Sequence, residues 1–213
     1  MYMRKLVLFC FVTIISMHVN SQHHFFPSFS LGTSASQISG DDTNGFAQFG
    51  LFVGASVRYQ QNDTWSYSMG LFFNQKGARR YQSLGPKSTY RLRVNYIDVP
   101  FLAHYFWKDF DFSVGPAVNV KINQKEQTEF GDVENQRIFK PLEFALQGGI
   151  GYEFKDNWSV QLMYQNSFIA VRDHSSEYLV NNIPNTLIEE WFDELLRKGQ
   201  YFSLFTLSLS YNF

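Results

Sequence analysis

An all-β fold, an eight-stranded antiparallel up-and-down transmembrane β-barrel, is what this sequence predicts, and three observations predict it. Segment after segment alternates bulky apolar residues with small or polar ones at a period of two, the signature of a strand with two unlike faces. The links between these segments alternate long and short, as tight turns at one end of a barrel and long loops at the other require. The bulky face is Phe, Tyr, Leu and Val, while the opposite face is Gly, Ser, Asn and scattered charge. A soluble barrel would hide its apolar side chains and show its charges; a barrel in lipid does the reverse.

The chain of 213 residues opens with an export signal over residues 1–21. Arg4 and Lys5 give a positive start, residues 6–17 form an apolar run, and Val19 and Ser21 are small residues for cleavage before Gln22. That run is too short for a membrane-spanning helix, which needs about twenty residues. Cys10, the only cysteine, lies inside this leader, so the mature barrel domain, residues 22–213, carries no thiol. The full chain has 18 basic and 19 acidic residues; losing Arg4 and Lys5 leaves 16 against 19, a net charge of −3. Nothing in that balance suits nucleic acid.

Taken in order, the first segment spans residues 28–37, with Phe29, Leu31 and Ala35 opposite Ser30, Gly32, Ser34 and Ser36. The second places Phe49, Leu51, Val53, Ala55, Val57 and Tyr59 outward, and after a turn at 61–63 the third does so with Trp65, Tyr67, Met69, Leu71 and Phe73. The fourth, residues 90–107, is irregular: Ile97, Val99, Phe101, Ala103 and Tyr105 share one face, but Leu92 and Val94 have the opposite phase. A bulge near Tyr96, or a strand end clear of the membrane, accounts for that shift. After a turn at Lys108 and Asp109, Phe110, Phe112, Val114, Pro116, Val118, Val120 and Ile122 define the fifth. The sixth carries Leu142, Phe144, Leu146, Ile150, Tyr152 and Phe154 outward, and the seventh Trp158, Val160, Leu162 and Tyr164. The last closes the chain with Phe205, Leu207, Leu209, Tyr211 and Phe213 against Thr206, Ser208, Ser210 and Asn212.

The long links fall at 38–47, 77–89, 123–140 and 172–200. Both termini then lie at the short-turn, periplasmic end. Tyr59, Trp65, Tyr105, Trp107, Phe110, Tyr152, Phe154, Trp158, Tyr211 and Phe213 cluster there as an aromatic girdle. Eight strands enclose only enough room for side chains to fill, so the inward charges Arg58, Lys76, Asp98, Asp111, Lys121, Glu143 and Glu153 are expected to pair across the lumen and fix register; lining a conduit is the alternative.

Within the last long link, residues 185–199 space Leu187, Ile188, Trp191, Phe192, Leu195 and Leu196 three and four apart, predicting an amphipathic helix capped by Asn185 and stopped by Gly199. It serves as a lid on the rim or as a partner- or lipid-binding face. Catalytic candidates are sparse. His23 and His24 precede the first strand, His104 faces inward near the periplasmic end, and only His174, beside Asp173, Ser175 and Ser176, lies at the outer rim. No His spacing suits zinc, no Gly-rich loop suits phosphate, and Ser39, Gly40, Asp41 and Asp42 lack the alternate acids of a calcium loop. The expectation is therefore no enzyme activity, no catalytic, cofactor or metal site, and no cofactor.

The stretches 74–80, 90–100, 112–116, 149–154, 171–174 and 199–201 resemble the PorT-type outer-membrane β-barrel family of Bacteroidota, small barrels of the OmpA and OmpX kind. That resemblance implies an outer-membrane location and a structural, interaction or secretion-associated role, since the family's namesake supports type IX secretion and gliding. The partners it implies are outer-membrane lipid and an envelope or secretion-system protein. A small passive channel and a rim-sited lipid-modifying enzyme are the alternative readings.

Overall fold

A strand in hydrocarbon must satisfy every N–H and C=O from neighbouring strands, so alternating segments of this kind are stable there only in a closed ladder. The computed structural model has that closure. It describes residues 24–39, 46–80, 90–128, 131–132, 139–155, 157–171 and 200–213. The predicted leader, the 185–199 helix, His23 and His174 lie outside the described residues. The strands are β1 (Phe25–Ser39), β2 (Gln48–Gln60), β3 (Trp65–Arg80), β4 (Tyr90–Trp107), β5 (Phe110–Thr128), the two-residue β6 (Gly131–Asp132), β7 (Leu142–Lys155), β8 (Trp158–Ser167) and β9 (Tyr201–Asn212).

All pairings are antiparallel. Each barrel strand pairs with its neighbour in sequence, β6 is a side branch on β5, and β9 returns to β1 to close the ring of eight. The closing seam runs in register from Ser28 opposite Asn212 to Ser39 opposite Tyr201. At the short-turn end, Asn62 Oδ1 accepts from the Thr64 and Trp65 amides at 2.9 and 2.7 Å, an Asx turn that reverses the chain between β2 and β3. Lys108 adopts φ 55 in the two-residue turn from β4 to β5, a geometry that matches the twist of the flanking strands.

The two faces follow the predicted phase. Phe49, Leu71, Val114 and Phe213 are 65%, 60%, 56% and 69% exposed, whereas Ser34, Ser66 and Asn119 are fully buried. Outward means toward lipid, because no soluble barrel leaves so continuous an apolar surface in water. The predicted girdle lies together at one end: Trp65 packs on Tyr105, Phe110 on Tyr152, and Trp158 on Tyr211, at centroid distances of 5.2, 5.3 and 5.0 Å. Phe25, which precedes the predicted first segment, joins this girdle through Tyr59.

Two expectations need correction. The fourth strand has no phase change: Leu92, Val94, Tyr96, Asp98, Pro100, Leu102 and His104 all point inward without interruption. The expected irregularity near Tyr96 is present, but the extra residue is in the partner strand: pairing steps from Asn95–Asn123 to Tyr96–Lys121 and leaves Ile122 unmatched. Ile122 and Asn123 are consequently both exposed, a bulge that re-phases the outer end of β5. Strands are also longer than predicted. β3 runs on to Arg80 and β5 to Thr128, over residues whose polarity reads as loop, because the three strands keep pairing beyond the apolar belt.

Leu92 and Val94 therefore face the lumen. With Ile38, Ala78, Tyr96, Phe139, Val171 and Phe202 they form an apolar cluster that fills the barrel at its loop end. Lower down, Phe72 stacks on Phe52 at 4.8 Å and lies over Gly54 and Gly70. A Cβ at Gly70 would stand 2.3 Å from that ring, so glycine there makes room for the aromatic filler. Leu71→Arg, in the middle of the apolar belt, is expected to destabilise the barrel in lipid vesicles by about 2–4 kcal/mol, against about 0–1 for Gln75→Arg at the belt's edge; urea titration reads both, and equal losses would contradict a lipid-facing belt.

Candidate functional site in the barrel lumen

The side chains that sequence alone marks as inward charges gather in two clusters, one on either side of a small cavity. Alternation places Arg58 of β2, Asp111 of β5 and Glu153 of β7 inside, and the closed ring brings them within reach. The Arg58 guanidinium lies 3.4 Å from both carboxylates and its carbon stands 5.0 Å from the centre of the Phe106 ring. Asp111 also meets His104 Nδ1 at 2.8 Å, and His104 Nε2 stands 2.7 Å from Ser68 Oγ.

Toward the loop end, Lys76 of β3 places Nζ 3.3 Å from Asp98 Oδ1 and 3.2 Å from Glu143 Oε2, all three side chains being essentially solvent-free. Asn74 Nδ2 donates to Asp98 at 2.8 Å, Ser167 Oγ to Glu143 at 2.7 Å, and Nζ lies 4.8 Å from the centre of the Tyr96 ring. Burial of ions costs several kcal/mol each unless partners are close; both Glu143 oxygens lie within 3.3 Å of Lys76 Nζ, and Asp98 Oδ1 meets it as an ion pair at 3.3 Å without a hydrogen bond of its own. Lys121, the seventh predicted inward charge, donates instead to Gln124 Oε1 at 3.2 Å and to the Phe139 carbonyl. It ties β5 to the stretch before β7 rather than crossing the lumen.

Between the clusters lies a cavity of about 50 Å³ lined by residues such as Ser30, Ser56, Ser68, Gln161, Gln165 and Ser208, room for a few waters. It lies between the apolar cluster at the loop end and the Arg58 cluster at the other. Among the described residues no group of three or more His, Cys, Asp or Glu side chains is placed to hold a metal ion.

Ser68, His104 and Asp111 have the connectivity of nucleophile, base and orienting acid, and sequence reasoning misses them. His104 is legible as inward, but its partners come from β3 and β5 and depend on register. Their surroundings do not complete an acyl-transfer site. Ser68 sits in mid-ladder between Arg58 and Leu102, where amides are committed to strand pairing. Asp111 is shared with Arg58. The triplet ties three strands together near the periplasmic mouth. His24, in contrast, is exposed just before β1.

The outer membrane protein beta-barrel domain family matches residues 20–171. The chain is similar in fold to Ail, the attachment invasion locus protein of Yersinia pestis, at 13% identity and a TM-score of 0.49, covering 89% of this chain and 99% of Ail. Neisserial surface protein A is similar at 11% identity and a TM-score of 0.47, covering 89% and 97%. The outer membrane protein OprG of Pseudomonas aeruginosa is similar at 11% identity and a TM-score of 0.43, covering 89% and 96%. The sequence matches none of the curated proteins with which it was compared.

Removing one partner of a buried charge cluster leaves the rest uncompensated. Lys76→Met is expected to destabilise the barrel by about 3–5 kcal/mol, and Arg58→Met by less, because Glu153 is partly solvated. Neutralising Lys76, Asp98 and Glu143 together (to Met, Asn and Gln) should recover most of the loss. Chemical-denaturant midpoints in detergent micelles check this; unchanged stability with altered conductance would instead mean that the charges line a conduit.

Proposed function

This chain belongs to the outer membrane protein β-barrel domain family, and from that premise we propose that it acts there as a non-enzymatic structural or interaction protein. It resides in the cell outer membrane. The observation that carries the reading is the filled lumen: ion clusters, packed aromatics and an apolar cluster occupy the interior, which leaves the outer surface and the loop end as the places where anything can be recognised. The resemblance of stretches 74–80, 90–100 and 149–154 to PorT-type barrels supports a secretion-associated role. A protein partner of the envelope, engaged by the long loops, is the mode of action that fits such a role, and the amphipathic pattern of residues 185–199 supplies a surface for it.

Photo-crosslinking from Trp191 in native outer membranes is expected to capture a defined envelope protein. Deleting residues 186–198 should abolish that adduct while the barrel keeps its heat-dependent gel mobility; if the deletion prevents barrel assembly, the segment is structural. The purified protein is expected to give no stepwise conductance in planar bilayers, and a steady open-channel current would favour the passive-channel reading instead.

A further inference from the structure

The two charge clusters of the lumen do not balance. Two cations, Arg58 and Lys76, face four carboxylates, Asp111, Glu153, Asp98 and Glu143. Protonating His104, which meets Asp111, would narrow that excess without removing it. Lys121 does not reach it, being held toward the loops by Gln124 and the Phe139 carbonyl. Uncompensated charge is costly here, because packed side chains and the surrounding bilayer screen it poorly.

Asp98 is where the shortfall falls. Glu143 meets the Lys76 ammonium with both oxygens, at 3.3 and 3.2 Å, and accepts from Ser167 Oγ. Asp98 Oδ2 accepts from Asn74, but the buried Oδ1 has only its 3.3 Å ion pair with Lys76 and no hydrogen bond. Of these three charged groups, only Asp98 lines the cavity between the clusters. Register sets Phe72 of β3 opposite Asp98, and Phe72 lines the same cavity with the stacked Phe52. Thr206 and Ser208 add hydroxyls to the wall, and Gln165 adds an amide. Gln165 is only 4% exposed, yet its nitrogen has no hydrogen-bond partner; a half-rotation of that amide presents its oxygen instead.

We propose that this cavity binds one monovalent cation, of about the size of potassium or ammonium, with Asp98 Oδ1 as its charged ligand. The excess of carboxylates rules out an anion. A divalent ion calls for several carboxylates or imidazoles, and among the described residues no three such side chains converge. One carboxylate with hydroxyl and amide oxygens suits a singly charged ion, which neutral oxygens can hold. The aromatic faces add attraction for a cation, and about 50 Å³ accommodates an ion little larger than a water. Water alone would fill the space and leave the charge uncompensated. The bound cation completes the balance at the Lys76 cluster, so that, beyond the interaction role proposed above, the fold itself depends on a small ion.

The test refolds the full mature barrel from urea into non-ionic detergent, with potassium chloride replaced stepwise by choline chloride at constant ionic strength. Choline is too large for the cavity. Once potassium exceeds its dissociation constant, each tenfold rise is expected to raise the folded-to-unfolded ratio about tenfold, as one bound ion requires, and ammonium should substitute for it. With isotope-labelled ammonium, nuclear Overhauser contacts are expected between the bound ion and the rings of Phe52 and Phe72. Asp98→Asn should abolish both effects. Should that variant not fold, Gln165→Met carries the test: the potassium dependence should persist but move to about tenfold higher concentration, and an unmoved dependence would count against the site. Equal urea midpoints in potassium and choline would overturn the proposal, as would a folded Asp98→Asn variant that keeps the dependence. Midpoints that follow pH but not potassium would also overturn it, assigning the excess charge to a bound proton.

Discussion

Closure of the backbone ladder is the constraint from which the rest of this structure follows. In hydrocarbon an unpaired peptide group costs several kcal/mol, so neither edge of an eight-strand sheet can be left open. The β1–β9 seam and the β4–β5 pairing remove both edges. Once the ring closes, period-two alternation sends half of the side chains into lipid and half into a space too narrow for anything but those side chains. Composition of the two faces then follows from solvent: Phe, Leu and Val outside, and Ser, Gly and paired charge inside.

The interior does more than fill space. Each charge cluster sets one cation against two carboxylates drawn from different strands, Arg58 with Asp111 and Glu153, and Lys76 with Asp98 and Glu143. A slip of one residue in any of these strands would turn the ion into the bilayer and leave its partners bare. Ser–Ser contacts act in the same sense on a smaller scale, as between Ser30 and Ser210 at 2.8 Å across the closing seam and Ser28 and Ser56 at 2.7 Å. The lumen thus specifies register, while lipid and ladder supply most of the stability.

Much of this is legible in the amino-acid sequence, for a physical reason: two solvents on two faces impose a strict alternation, and β5 and β9 display it almost without error. The phase of β1, β2, β3, β7 and β8, the short turns and the inward orientation of His104 follow from the same rule. What is not legible depends on pairing between distant strands. Leu92 and Val94 look out of phase only because an apolar plug inside a barrel is indistinguishable, along one strand, from a register shift. The bulge itself sits in β5 at Ile122, opposite the Asn95–Tyr96 step of β4. Ser68 and Asp111 give no local sign that they flank His104. The outer ends of β3 and β5 are hidden because these strands continue into stretches that polarity marks as links.

Which side of the strands meets lipid decides everything else about this barrel. Adjacent positions on β7, outward Leu146 and inward Gln147, allow this to be measured directly, by placing a lone tryptophan at each in a background where the four native tryptophans are replaced by phenylalanine. In vesicles of phospholipid brominated in the acyl chain, fluorescence from position 146 is predicted to be strongly quenched and that from position 147 to be spared. Equal quenching at both, or quenching at 147 with 146 spared, would contradict a barrel whose bulky face is bathed by the bilayer.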